Sequence, residues 1–237
     1  MAFKFTAKEV RGKKVVFYGD SITEGCKTTG FHVGFPMESI YAYPHLLSAE
    51  MGFEYRNRAI GGSRFTYTTA IKQGCASGVK TIFDQAADAR WADIAVVSYG
   101  TNDFHGGTPI GKITDTPHTF EDVSTFFGSI DFAIRTLRRQ NGNIKICFLT
   151  PLYRSTPEAW HPAIVNPETK LHLNDDYGQA VRRKIEATRD ENIIYIDMWG
   201  CLNGSNFNKS AGNTIDGIHP NDNGHRLIAD YILRYYD

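Results

Sequence analysis

The chain has 237 residues, with 26 Lys plus Arg balanced by 26 Asp plus Glu. That balance leaves no basic field for nucleic acid and no acidic tail, and it favours small or neutral partners. The length suits one large domain over 1–237, since no Pro, Gly or Ser-rich linker divides it, and the longest apolar runs fall far short of the roughly 20 residues that span a bilayer.

Met1 to Lys14 mixes Lys, Glu and Arg with isolated apolar residues and lacks the hydrophobic stretch of a secretory signal. A soluble, cytoplasmic protein without membrane insertion is the expectation. Val15 to Tyr18 reads as a buried strand that breaks into Gly19, Asp20, Ser21, Ile22 and Thr23. Taken alone this is an ordinary strand-to-helix turn, with Ser21 or Thr23 as a cap. It is also how parallel α/β proteins bring a side chain to the carboxyl edge of the sheet, where ligands bind. Tyr43 to Gly52 predicts a short helix, with Pro44 near its start and Gly52 at its end. A second strand, Glu54 to Ala59, exits into Ile60, Gly61, Gly62, Ser63 and Arg64. A third, Ile94 to Tyr99, exits into Gly100, Thr101, Asn102 and Asp103.

Further on, Thr119 to Arg139 predicts an amphipathic helix through Val123, Phe127, Ile130, Ile134 and Leu137, opened by a capping box of Thr119 and Asp122. After a fourth strand, Ile144 to Thr150, a helix over Leu173 to Arg189 is expected to turn Arg182, Arg183 and Lys184 mostly to water. A fifth strand, Ile193 to Asp197, precedes a last helix with Leu227, Ile228, Tyr231, Ile232 and Tyr235 facing the sheet.

Near-continuous apolar strands alternating with helices predict an α/β protein: a three-layer α/β/α, doubly wound, flavodoxin-like parallel five-stranded sheet. Two polar insertions, Phe104 to His118 and Leu152 to His172, follow the carboxyl ends of strands and are expected to wall a binding site. Their Phe104, His105, Tyr153, Trp160 and His161 suit a sugar or another small polar alcohol, although loop packing alone would also account for them. Cys26, Cys75, Cys147 and Cys201 are widely spaced with no C-x-x-C pair, which points to reduced thiols, with Cys147 a small core residue. His32 and His45 have no partner at metal-ligand spacing.

The chemistry gathers at the strand ends. Asp216 lies three residues before His219, on a turn stiffened by Pro220, and could hold one imidazole nitrogen while the other points outward. A serine hydroxyl becomes a useful nucleophile only when such a base removes its proton, and an unperturbed His, with a pKa of about 6.5, exchanges protons near neutrality. Asp216 could equally belong to an Asx turn leading into a helix capped by Asn221. Asp197 is a rival acid farther away in sequence. The Asn102 amide, and a backbone N–H at Gly61 or Gly62, could donate to an oxyanion.

In content and order, Gly19-Asp20-Ser21-Ile22, Gly61-Gly62, Gly100-Thr101-Asn102-Asp103 and Asp216-Gly217-Ile218-His219-Pro220 resemble the four blocks of the SGNH hydrolases, also called GDSL esterases and lipases. The resemblance implies a flavodoxin-like α/β/α fold and hydrolysis of a small-molecule ester with no metal or organic cofactor. It makes Ser21 the nucleophile, His219 the base and Asp216 the residue that orients it. The implied oxyanion donors are the Ser21 N–H, a glycine N–H and the Asn102 amide, with Gly62 favoured because it directly precedes a polar residue. Ser63 departs from the family, which more often has Asp there. Asp20 and Asp103 are expected to brace their loops. With no long apolar lid helix in the sequence, short acyl groups such as acetyl are the first expectation. A thioesterase or lysophospholipase-type acyl hydrolase, and a non-catalytic binding module, remain as alternatives.

Overall fold

The computed structural model describes residues 2–29, 39–153, 173–199, 201 and 212–236. Five parallel strands form one sheet: β1 Lys14–Gly19, β2 Glu54–Asn57, β3 Ile94–Ser98, β4 Lys145–Leu149 and β5 Ile193–Ile196, in the order β2-β1-β3-β4-β5. This is the flavodoxin-like order the pattern predicts. The helices are α1 Ala7–Val10, α2 Ser21–Glu24, α3 Tyr43–Met51, α4 Thr68–Lys72, α5 Gly78–Asp84, α6 Ala87–Trp91, α7 Thr101–Gly106, α8 Phe126–Gln140, α9 Leu173–Thr188 and α10 Asp222–Arg234.

The inner strands β1, β3 and β4 are largely apolar because both their faces are covered, whereas the edge strand β2 is polar and partly exposed; the strand period of two divides the inner strands between two cores. Val16, Tyr18, Ala95, Val97, Ile146 and Phe148 join the core beneath α5, α6, α8 and α9. Their neighbours Val15, Phe17, Val96, Cys147 and Leu149 join a second core with Tyr43, Leu47 and Met51 of α3 and Ile228 and Ile232 of α10. Gly19 pairs with Ser98, and Ser98 with Leu149, so β1, β3 and β4 end level with one another. Three separate loops thereby leave the sheet along one edge.

Four expectations are corrected. Helix α8 begins at Phe126 rather than Thr119, capped by Thr125, whose Oγ1 accepts from the Gly128 N–H at 3.1 Å. Thr119 and Asp122 do bond to each other, but in a separate turn. The Val123 carbonyl is already taken by the N–H groups of Tyr67 and Thr68, so it cannot serve a helix. Lys184 does not face water: it is buried, donates to the Ile113 carbonyl at 2.8 Å and pairs with Asp131 at 3.1 Å, because the segment after β3 folds over it. Leu227 is exposed, one position out of phase with Ile228 and Ile232. The expected loop from Phe104 opens inside α7. His32, Trp160 and His161 lie outside the described residues. All four cysteines are free, with Cys147 buried. Among the described residues, no helix is long and apolar enough to cross a membrane.

Candidate active site

Ser21 opens the single turn of α2 immediately beyond β1. The Asp20 side chain caps that turn, accepting from the Ile22 N–H at 3.0 Å, and Gly25 ends it in the left-handed region. Only glycine fits at position 19, because a Cβ there would overlap the Thr23 hydroxyl and come within 2.9 Å of the Ser98 carbonyl. Thr23 is held in turn by the Tyr43 hydroxyl at 2.9 Å. The turn is therefore wedged between β3 and α3.

His219 arrives from the other end of the chain, 198 residues away. The Asp216–His219 turn is closed by a bridge between Thr214 and Pro220 and by the Ile215 N–H donating to the His219 carbonyl at 3.0 Å. Asp216 Oδ1 accepts the backbone N–H groups of Ile218 and His219 at 3.0 and 2.8 Å, and its Oδ2 stands 2.7 Å from His219 Nδ1. Burial pushes the Asp216 carboxyl up, but the bonds from His219 and Ile218 outweigh it and hold the group below its usual range. With Nδ1–H donated to Asp216, His219 Nε2 is left as an acceptor for the Ser21 hydroxyl, 2.9 Å away. Asp197 takes no part, because its carboxylate pairs with Arg182 and Thr150. The turn also leads into a capped helix as expected, since Asn221 caps α10, accepting from the Gly224 N–H at 3.1 Å.

The second and third blocks meet beside Ser21. Asn102 lies in the first turn of α7, which begins after Gly100 at a φ of 136°. One Nδ2–H of Asn102 donates to the Ser63 carbonyl at 3.0 Å, and the other has no acceptor among the described residues. Of the two glycines, Gly61 has its N–H against the Glu24 carboxylate. Burial raises the Glu24 carboxyl and that N–H partly offsets the rise. Gly62 has a φ of 73°, open space around its Cβ position and, among the described residues, no acceptor for its N–H. Gly62 thus keeps an available donor where Gly61 does not. Ser63 is fully buried.

Asp103 braces rather than reacts, accepting the Phe65 N–H at 2.8 Å and the Thr66 N–H at 3.5 Å. Burial pushes its carboxyl up to about 6, against the pull of those bonds. Sequence reasoning missed Glu24 and Arg64. Glu24 sits one turn after Ser21, a spacing that could have placed it beside the nucleophile. Arg64 gave no signal, because an arginine after a glycine pair reads as surface and here is buried. Among the described residues, no three His, Cys, Asp or Glu side chains gather as a metal site would require.

The profile of the GDSL-like lipase/acylhydrolase family matches residues 17–227. The chain belongs to that family. Solved structures of the same SGNH hydrolase fold include a protein of Lactobacillus plantarum, 21% identical, with a TM-score of 0.68 over 93% of this chain and 94% of that one. A catalytic mutant of Axe2, an acetylxylan esterase from Geobacillus stearothermophilus, is 21% identical with a TM-score of 0.56 over 95% and 94% of the two chains. The salicylyl-acyltransferase SsfX3 from a tetracycline biosynthetic pathway is 18% identical with a TM-score of 0.57, over 92% of this chain and 52% of its own. None of the curated proteins compared with the chain matches it.

Proposed function

We propose that this GDSL-family protein is a serine esterase that removes short acyl groups, acetyl foremost, from a sugar or another small polar alcohol. The observation that carries the reading is the unbroken line from Ser21 Oγ through His219 to Asp216, with contacts of 2.9 and 2.7 Å. In that arrangement Ser21 Oγ attacks the ester carbonyl carbon while its proton passes to His219 Nε2. Asp216 fixes the ring tautomer and stabilises the imidazolium. The carbonyl oxygen, now an oxyanion, takes hydrogen bonds from the Ser21 N–H, the Gly62 N–H and the free Nδ2–H of Asn102. Collapse of the adduct expels the alcohol, which leaves with the proton from His219. Water then attacks the acyl-enzyme by the same route and frees the acid and Ser21.

The choice of acyl and alcohol is supported by Tyr153, which follows β4 on a segment that leaves the sheet at the edge where Ser21 stands. A neighbour of the same fold that is named for acetylxylan also supports it. A panel of nitrophenyl esters from acetate to laurate, with acyl thioesters alongside and Ser21→Ala as control, tests the reading. Turnover of acetate exceeding that of the long esters, and lost in the control, is expected. Preference for long chains or for thioesters would replace the substrate class, and no turnover of any of them would leave a binding module as the better account.

A further inference from the structure

Arg64 is 3% exposed, and its guanidinium is buried at a place where an uncompensated cation is costly. Its side-chain hydrogen bonds lead to α7, the helix that carries Asn102, directly or through Gln73. Nη1 donates to the Asn102 backbone carbonyl, and Nη2 donates to Gln73 Oε1, while Gln73 Nε2 donates to the Gly106 carbonyl at 3.2 Å. Room for the guanidinium exists only because residue 106 is glycine, since a Cβ there would overlap it. The main chain of Arg64 is anchored as well, its N–H donating to the Ala76 carbonyl at 3.0 Å and its carbonyl accepting the Gly78 N–H at 2.6 Å. The residue before it, Ser63, accepts the Asn102 amide. Arg64 therefore spans the two loops that supply Gly62 and Asn102, fixed at both ends.

We propose that Arg64, seated in the space left by Gly106, is a positioning residue that holds the Asn102 amide in register with the Gly62 N–H, so that Asn102 can serve as an oxyanion donor. The inference rests on the acyl-hydrolase reading of the site. Its physical basis is that a donor is useful only where the developing charge will stand, and a helix free to shift by an ångström would lose much of that benefit. Arg64 reaches no substrate; it acts through the Asn102 backbone and the Ser63 carbonyl.

The test is a double-mutant cycle on nitrophenyl acetate, reading kcat and KM separately for Arg64→Ala, Asn102→Ala and the pair. Arg64→Ala should lower kcat by about 100-fold, the scale of one lost oxyanion donor, with KM changed by no more than about threefold. In the Asn102→Ala background the same change should cost less than about threefold more, because both variants remove one function. Added guanidinium should restore part of the kcat of Arg64→Ala. Gly106→Ala, which retains the charge but evicts it, should lose kcat in the same way, and this variant keeps the proposal testable if Arg64→Ala does not fold. Losses that multiply in the pair, or a Gly106→Ala enzyme within about twofold of wild type, would overturn the positioning role. Absence of wild-type turnover would instead overturn the esterase reading, so the two failures are distinct.

Discussion

The two halves of the candidate site are built in opposite ways. Ser21 is 5% exposed and stands in a turn wedged by Gly19, Thr23 and Tyr43 between the sheet and α3. Its partner hangs from an outer turn in which the side chains of His219 and Asp216 are 23% and 41% exposed. Ser21 is fixed by the packing of its turn against β3 and α3. His219 is fixed by polar contacts within seven residues, Thr214 to Pro220, with one carboxylate at their centre. A change on the inner side should therefore disturb folding and activity together, whereas a change on the outer side should remove activity and leave the fold standing.

The largest expected effect lies on the outer side. Asp216→Asn presents an amide where His219 Nδ1–H needs an acceptor, and kcat should fall by about 10³- to 10⁴-fold with the thermal midpoint nearly unchanged. A stability loss in proportion to the activity loss would break the contrast. Next comes Asn102→Ala, for which steady-state kinetics should give a kcat lower by about 10²- to 10³-fold. On the inner side, Gly19→Ala forces a methyl against Thr23 and the Ser98 carbonyl. Denaturant unfolding should register a loss of about 1–3 kcal/mol, and activity should fall with it. Unaltered stability would mean that the turn is looser than its packing implies.

The smallest effect concerns pH. His225 is fully buried, stacks on Tyr43 and accepts the Tyr43 N–H on Nδ1 at 3.2 Å; burial lowers its pKa to about 3. The unfolded chain takes up that proton near pH 6.5, so His225 contributes stability above that pH that is lost as pH falls toward 3. Asp103 acts in the opposite sense. Its carboxyl is pushed up to about 6 when folded, so its burial costs stability above pH 6 and that cost is relieved as pH falls toward 4. Each slope is at most about 1.4 kcal/mol per pH unit, so between pH 6 and 4.5 the two partly cancel. His225→Asn, which keeps an acceptor for Tyr43, should expose the Asp103 slope, with stability measured by denaturant melts rising relative to wild type as pH drops through this window. Parallel curves for the two proteins would contradict the assignment.

Much of this was legible in the sequence because it is local. Strand periodicity, the Gly19 to Thr23 break and the Asp216 to His219 spacing each express a short-range constraint, and the five strands follow from them, whereas the pairing of Ser21 with His219, 198 residues apart, was implied by the resemblance of the four blocks to the SGNH hydrolases. What stayed hidden depends on contacts between distant segments. Nothing near Val123 reveals that its carbonyl serves Tyr67 and Thr68, which moves the start of α8 to Phe126. Nothing near Lys184 indicates that the Ile113 carbonyl covers it. The choice between Gly61 and Gly62 likewise waits on Glu24, which occupies one N–H and leaves the other. Arg64 is the extreme case, since its role exists only once β2, α4 and α7 meet.

The central claim is that Ser21 is a nucleophile because His219 is its base. Intact-protein mass spectrometry after brief exposure to a fluorophosphonate measures this directly, with peptide mapping to locate the adduct. One adduct per chain on Ser21 is predicted, absent from Ser21→Ala and slowed by at least about a thousandfold in His219→Ala. An adduct on another residue, or labelling of Ser21 at the same rate without His219, would contradict the account.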